Sequence, residues 1–356
     1  MKRAKQLGLC WIVAVLTAAG CGSGGGNGDA WERNVVEEGL EIAWGVAMAA
    51  DATGAPHLLY VVSDGQSLEH ARWQSGGWSK ETLVSGSVET PVDLALGPGG
   101  ALHAVYNGEV PSYGTDSSGS WAEEALPDGG FVDTAAAVCL DGDGGVHAAY
   151  FGPSGLQYAV KAGGAWDVSL VSEDWEQGDR HTLDLALGPD GAPHISAMSN
   201  MGLAVYSLEG GTWAGGGIDG VNTGRCTSGC CSTFILADEG GALHLSSVAS
   251  HGDGDDRVVY AERRGGAWSL EYEDFSRGDG GHFAIDGSGV VHLVYRGHNN
   301  VMYVNSLSWE NEILLDEAAT CISLAVDSSN RPHVSYCEFE EGTPRIERLV
   351  VAARGQ

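Results

Sequence analysis

Short apolar or alternating segments, broken by Gly-rich turns, follow one another from Trp31 to Val351. Alternation over five to eight residues is the period of a strand with one face buried, and Gly/Asp/Pro clusters between such runs mark hairpins. One complete unit starts at Leu183. LDLALG reads as strand A, Pro189-Asp190-Gly191 as its turn and PHISAMS as strand B; LAVYSLEGG is strand C with its turn, and Trp213 opens strand D. Other units end the same way, in LEHARWQSGGW, LQYAVKAGGAW and VVYAERRGGAW.

A histidine closes the first turn of every unit: His57, His103, His147, His194, His244, His292 and His333, in DATGAPH, GPGGALH, DGDGGVH, GPDGAPH, DEGGALH, DGSGVVH and DSSNRPH. The spacings of 46, 44, 47, 50, 48 and 41 residues fall in the range of propeller blades. Four short strands cannot bury both faces alone, but stacked sheets do, and a closed ring leaves only short protected edges. Strands A and B occur seven times. Within these units the strand D starts, at Trp78, Trp121, Trp166, Trp213, Trp268 and Trp309, number six. The seventh is WERNVV at 31–36, which matches WSKETL and WENEIL, whereas the C-terminus ends in a C-like strand, PRIERLVV. The expected fold is therefore all-β: a seven-bladed β-propeller of four-stranded antiparallel blades, with residues 31–36 as the outer strand of the last blade. A linear solenoid is the competing arrangement; it needs capping units, and the ends supply none.

Six residues before each histidine stands Asp51, Gly97, Asp141, Gly188, Asp238, Asp286 or Asp327. Asp bonds its own turn amides and Gly admits unusual dihedrals. Three positions later comes Gly, except for Asn330, which suits a left-handed backbone. Eight before each histidine the residue is mostly small (Ala49, Ala95, Cys139, Ala186, Leu236, Ala284 and Ala325), as an inner strand near a crowded axis requires. The histidines are expected to bond backbone groups of an adjacent strand or blade, with metal binding as the competing idea. The strand D tryptophans read as wedges between blades, with a sugar-stacking platform as the alternative.

Charge narrows the partners. The chain carries 18 basic and 48 acidic residues, a net charge of −30. Such a balance argues against nucleic acid and anionic membrane surfaces, and a polyanionic substrate would need a local basic pocket. Residues 1–20, a basic start and the apolar run LGLCWIVAVLTAA, read as an export signal. AAGC resembles a bacterial lipobox with Cys21 as the lipidated residue, though Ala18 stands where that signal most often has Leu; ordinary secretory cleavage is the alternative. Residues 21–30 are then a flexible tether, and 31–356 the propeller. The expected location is the bacterial cell envelope, lipid-anchored to the outer membrane or exported to the surface.

Cysteine usage fits export. Cys321 and Cys337 bracket the hairpin CISLAVDSSNRPHVSYC, where a disulfide would staple the closing blade. Cys226, Cys230 and Cys231 in RCTSGCC allow a local pairing or a metal cluster, and Cys139 reads as a buried thiol.

Where the period fails, a site is expected. In an antiparallel blade the D-to-A and B-to-C connections share one face, and here they vary in length and content. That face holds Arg180, Arg225, Arg257, Arg277, Arg296, His181 and His298, together with Trp175 and Asp174. On the inner strands, ten before the ruler histidine, Asp93, Asp184 and His282 depart from apolar or small equivalents. This set suits an acidic sugar, a peptide carboxylate or a metal held through Asp184, His282 and their neighbours. Asp253, Asp255 and Asp256 in HGDGDD are a weaker Ca²⁺ candidate without EF-hand spacing, and no cofactor is expected.

Over residues 31–350 the chain resembles bacterial exported proteins with sialidase-like (BNR-like) propeller repeats, through GAPHLLY, LQYAV and GGAWDV. No blade carries the S-x-D-x-G-x-T-W box of true sialidases, and those usually have six blades. Some seven-bladed propellers are polysaccharide lyases using His and Tyr; that likeness would recruit His282 or His181 with Tyr150 or Tyr113. No Ser-His-Asp motif, phosphate loop or dinucleotide fingerprint is present. The expectation is a monomeric, surface-anchored module recognising a glycan or an extracellular protein on the variable face. A carbohydrate-active enzyme, lyase or glycoside hydrolase, is the alternative.

Overall fold

The computed structural model describes residues 31–39, 41–63, 66–129, 135–173, 175, 182–199, 202–218, 232–250, 256–276, 281–339 and 346–354. They form seven four-stranded antiparallel sheets. Blade 1 holds β2 (Ile42–Ala50), β3 (Pro56–Val62), β4 (Ser67–Gln74) and β5 (Gly77–Ser85). Blade 2 holds β6 (Glu89–Leu96), β7 (Leu102–Asn107), β8 (Pro111–Thr115) and β9 (Ala122–Ala125). Blade 3 holds β10 (Ala136–Leu140), β11 (Val146–Gly152), β12 (Gly155–Ala162) and β13 (Ala165–Ser172). Blade 4 holds β14 (Thr182–Leu187), β15 (Pro193–Ser199), β16 (Gly202–Glu209) and β17 (Thr212–Gly217). Blade 5 holds β18 (Ser232–Ala237), β19 (Leu243–Ser250), β20 (Asp256–Arg264) and β21 (Ala267–Ser276). Blade 6 holds β22 (Gly281–Ile285), β23 (Val291–Arg296), β24 (Val301–Asn305) and β25 (Glu312–Leu315). Blade 7 takes β26 (Ala319–Val326), β27 (Pro332–Phe339) and β28 (Ile346–Arg354) from the C-terminus, and β1 (Trp31–Glu38) from the N-terminus.

The predicted closure is present. β1 pairs antiparallel with β28, with Trp31 opposite Arg354 and Val35 opposite Val350. The inner strands touch their neighbours all the way round, including β26 against β2. Each seam between consecutive blades carries its own apolar cluster. The seam of blades 7 and 1 joins Val36, Leu349 and Val351 to Leu58 and Tyr60. The seam of blades 3 and 4 joins Phe151 and Tyr158 to Leu183 and Ile195. Both faces of each sheet are therefore covered by another sheet, which is why B strands such as β3 and β11 are buried at every residue rather than at alternate ones.

Every A–B turn has five residues (51–55, 97–101, 141–145, 188–192, 238–242, 286–290 and 327–331). Where an aspartate opens it, in blades 1, 3, 5, 6 and 7, the carboxylate folds back onto the turn. Asp51 Oδ1 accepts from the amides of Thr53 and Ala55 at 2.8 and 3.0 Å, and Asp286 Oδ1 from those of Ser288 and Val290 at 2.8 and 2.9 Å. The fourth turn residue is left-handed in each blade, at φ 79–85° for the six glycines and 62° for Asn330. The C–D turns are less uniform than the sequence suggests. Those of blades 2 and 6 run to six residues (116–121 and 306–311), against two in blades 1, 3, 4 and 5.

The repeat histidines are expected from the sequence to bond backbone groups; instead, among the described residues, the partners found for them are side chains. In blade 3, Tyr158 Oη meets His147 Nδ1, and His147 Nε2 lies 3.4 Å from Asp141 Oδ2. In blade 6, Tyr303 Oη is 2.5 Å from His292 Nδ1, whose Nε2 is 3.3 Å from Asp286 Oδ2. An ionised Asp at Nε2 fixes the proton there, so Nδ1 accepts and the tyrosine donates. Blade 5 brings the same three groups together: Tyr260 Oη is 2.7 Å from His244 Nδ1, and Asp238 Oδ2 lies 3.3 Å from Nε2 without the alignment of a hydrogen bond. Blade 2 has Tyr113 on His103, but Gly97 where the Asp would stand. The next blade's outer-strand tryptophan covers the tyrosine ring. Trp166 packs on Tyr113, Trp213 on Tyr158, Trp309 on Tyr260 and Trp31 on Tyr303, with centroids 5.2–5.3 Å apart. Trp, Tyr and His thus form one wedge that crosses each of these seams, with an Asp behind the histidine in blades 3, 5 and 6. Blade 1 substitutes His70 for the tyrosine, at 2.9 Å from His57. Burial lowers His103, His147, His194 and His292, and with the neighbouring His70 and Arg72 it takes His57 down to about 4, so these five imidazoles favour the uncharged form.

Candidate functional site

The antiparallel order sends every D–A and B–C connection to one end of the ring. The D–A connections run from three residues (39–41) to fourteen (218–231), and the B–C connections from two (153–154) to six (340–345). This variable end is where the A strands begin, and there Asp93 on β6, Asp184 on β14 and His282 on β22 stand at one register. They pair across to Val105, Ser196 and Val294 of the adjoining B strands. The equivalents are Ala47, Ala137, Phe234 and Ser323. The inner strand has no neighbour on its channel side, so its outward amides need acceptors.

The two aspartates supply them. Asp93 Oδ1 accepts from the Leu94 amide and Oδ2 from the Val138 amide of blade 3, both at 2.8 Å. Asp184 repeats the arrangement, with the Leu185 amide and the Ile235 amide of blade 5, again at 2.8 Å. Each carboxyl therefore laces two blades together at the channel wall and keeps lone pairs for a ligand. Burial, reinforced by the charge of Asp93, pushes Asp184 up to about 7, and burial raises Asp93. His282 is the third member. Its ring lies 4.3 Å from that of Phe234, its Nδ1 has no hydrogen-bond partner among the described residues, and burial holds it at about 4. The lining near this mouth is thus polar, with an uncharged imidazole and two carboxyls whose acidity burial weakens.

The other predicted site residues separate. Trp175 sits between β13 and β14, and is packed into the seam of blades 3 and 4. Its ring is 5.3 Å from Phe151 and 6.5 Å from Tyr206. Large apolar neighbours on both blades hold it as a wedge, so it is not a free platform. Arg296 ends β23 and His298 stands exposed in the following connection. Arg257 on β20 pairs with Glu273 at 2.8 Å. Asp256 opens β20. Arg180, His181, Arg225, Arg277, Asp174, Asp253 and Asp255 lie outside the described residues, as do Cys21, Cys226, Cys230 and Cys231. Among the described residues no three His, Cys, Asp or Glu side chains are grouped to hold a metal, and no helix is long and apolar enough to cross a membrane. Cys139 is a half-buried thiol on β10, opposite His147.

Tyr113 and Tyr150, the partners that a lyase-like reading would need, are spent in the core. Tyr113 Oη is 2.6 Å from His103, and Tyr150 Oη donates to the Pro127 carbonyl at 2.6 Å. Burial raises both phenols, the opposite of what a base requires. The sequence reading missed Phe234 and Ser323 at the channel register. It also missed the tyrosines of the wedge, although Tyr158 stands in the quoted LQYAV, where an aromatic at a fixed place in strand C was the available signal.

No described family pattern and no curated protein sequence matches the chain. Solved structures do. The β-propeller domain of Cps50 (Swd1) from Myceliophteria thermophila superposes with a TM-score of 0.56 at 12% identity, over 90% of this chain and 99% of that one. The Aleuria aurantia lectin superposes with a TM-score of 0.53 at 12% identity, over 79% of this chain and 99% of that one. That lectin has six blades, so its smaller share of this chain fits a ring with one blade more. At these identities the likeness establishes the architecture: the chain folds as a seven-bladed β-propeller.

Proposed function

We propose that this ring is a binding module which takes a neutral, hydroxyl-rich ligand, a glycan, at the variable end of its channel. The observation that carries the reading is the register set Asp93, Asp184 and His282. Carboxyl oxygens with lone pairs to spare and an unpartnered imidazole nitrogen, beside the Phe234 ring, match a sugar's hydroxyls and apolar face. Their weak charge suits a neutral sugar better than a polyanion. The similar Aleuria aurantia lectin, solved with Fucα1-6GlcNAc, supports a glycan over a protein ligand. In this reading residues 1–20 export the chain, Cys21 tethers it to the cell envelope through residues 21–30, and the monomeric ring of 31–356 displays its variable face outward.

The test is a glycan array probed with the labelled mature chain, followed by calorimetry on the hits. Asp184→Asn and His282→Ala are expected to weaken binding of a neutral oligosaccharide at least tenfold with the fold retained by circular dichroism. Binding that survives both substitutions, or no hit on the array, refutes the site. Turnover of a bound glycan would replace the module by an enzyme.

A further inference from the structure

The seam that closes the ring carries a second feature, independent of ligand binding. Cys321 is on β26 and Cys337 on β27, the paired inner strands of blade 7. Thr320 is directly opposite Cys337, and the register then slips so that Cys321 and Ile322 together face one residue before pairing resumes at Ser323–Ser335. In an unbroken ladder Cys321 would point away from Cys337, because side chains alternate. The bulge, with Cys321 at φ 55°, breaks that alternation. Both sulfurs consequently share the apolar cluster of blades 7 and 1, where Cys337 is fully buried and Cys321 is half-buried. Burial, followed by the hydrogen-bonded Cys321 thiol, pushes the Cys337 thiol well up. Cys321 Sγ also donates to the Ala43 carbonyl of blade 1 at 3.7 Å.

We propose that Cys321 and Cys337 are a paired oxidation site, forming a disulfide that locks the closing blade once the folded chain meets a small-molecule or protein disulfide. With glutathione disulfide as the oxidant, the more accessible Cys321 thiolate attacks one glutathione sulfur and expels the other as a thiol. The Cys337 thiolate then attacks the Cys321 sulfur of the mixed disulfide and expels the second glutathione. Two protein thiols lose two protons and two electrons, and one glutathione disulfide becomes two glutathione thiols. The bond closes the loop 321–337, and a loop of that length lowers the unfolding equilibrium roughly a hundredfold. It also removes the S–H donor that holds the Ala43 carbonyl, so oxidation exchanges a weak bond across the seam for a covalent one within blade 7.

The experiment equilibrates the folded full chain in glutathione buffers, quenches it, alkylates it under denaturing conditions and maps the peptides by mass. Cleavage before Asp327 separates the two cysteines. The expected result is two peptides joined through Cys321 and Cys337, two hydrogens lighter than their reduced sum, and a higher denaturant midpoint for the oxidised chain. Cys337→Ser is expected to trap glutathione on Cys321, and Cys321→Ser to leave Cys337 unmodified in the folded chain. Both sulfurs alkylated after oxidation of the wild-type chain, or Cys321 joined instead to Cys139, Cys226, Cys230 or Cys231, overturns the proposal. Neither outcome touches the glycan reading, which is scored on the array.

Discussion

The seam wedge makes a sharp prediction at Tyr158. Its ring is 5% exposed and its hydroxyl donates to His147 Nδ1, while His147 Nε2 faces Asp141. Tyr158→Phe deletes the hydroxyl and keeps the ring that Trp213 packs on. The buried imidazole, its tautomer fixed by Asp141, is left with an unpaired acceptor, a loss of about 2 kcal/mol. In a His147→Leu background the acceptor is gone and the tyrosine hydroxyl is itself the unsatisfied group. There the same substitution is expected to be neutral or stabilising, giving a coupling of about 2 kcal/mol between the positions. Urea unfolding of the four chains at pH 8, where burial keeps His147 neutral, reads this as a midpoint change at constant slope. A cost below about 0.5 kcal/mol in the wild-type background, or the same cost in both backgrounds, refutes the assignment of donor, acceptor and tautomer.

Three further outcomes follow from the same contacts. His57 is 2% exposed and held at about 4 against an unfolded value of 6.5. The unfolded chain therefore binds the extra proton, and its share of stability, about 3 kcal/mol, is intact above pH 6.5 and lost as pH falls toward 4; denaturant midpoints across that window should drop less in a His57→Leu variant. Asp184 works in the opposite sense. With its folded value raised to about 7, its contribution is complete below pH 4 and disappears as pH rises through 7, and difference infrared spectra should show protonated-carboxyl absorption at pH 6 that Asp184→Asn diminishes. Finally, Trp31 lies opposite Arg354, so residues 31–38 moved behind Arg354 through an Asn-Gly turn should rebuild the blade with an unchanged midpoint. Their deletion should cost at least about 2 kcal/mol, since Val36, 4% exposed, leaves the closing core. An unaltered midpoint after deletion would mean that β1 does not hold the ring closed.

The sequence carried the architecture because the fold is a repeat. Seven copies of one turn phrase place seven A–B hairpins, and the missing strand D pointed to Trp31–Val36. Local rules then set each turn: Asp51 bonds amides two and four residues on, and Asn330 takes the left-handed place of glycine. Chemistry between blades was not legible in this way. The sequence gives Asp93 and Val138 no relation, 45 residues apart, yet the carboxylate of one holds the amide of the other because consecutive inner strands converge on the axis. Trp175 looked like a loop residue open to ligand, and the packing of two blades made it a wedge.

Periodicity by itself determined the number of blades, the order of strands, the shared variable face and the register that singles out Asp93, Asp184 and His282, since each depends on residues within one hairpin or on simple counting. Only the tertiary structure decided what those residues and the ruler histidines bond. The histidine partners lie one strand or one turn away and their aromatic cover comes from the next blade, while a single bulge turns Cys321 toward Cys337. Contacts across a seam are fixed by how neighbouring sheets stack around a common axis, and that distance does not exist in a one-dimensional pattern.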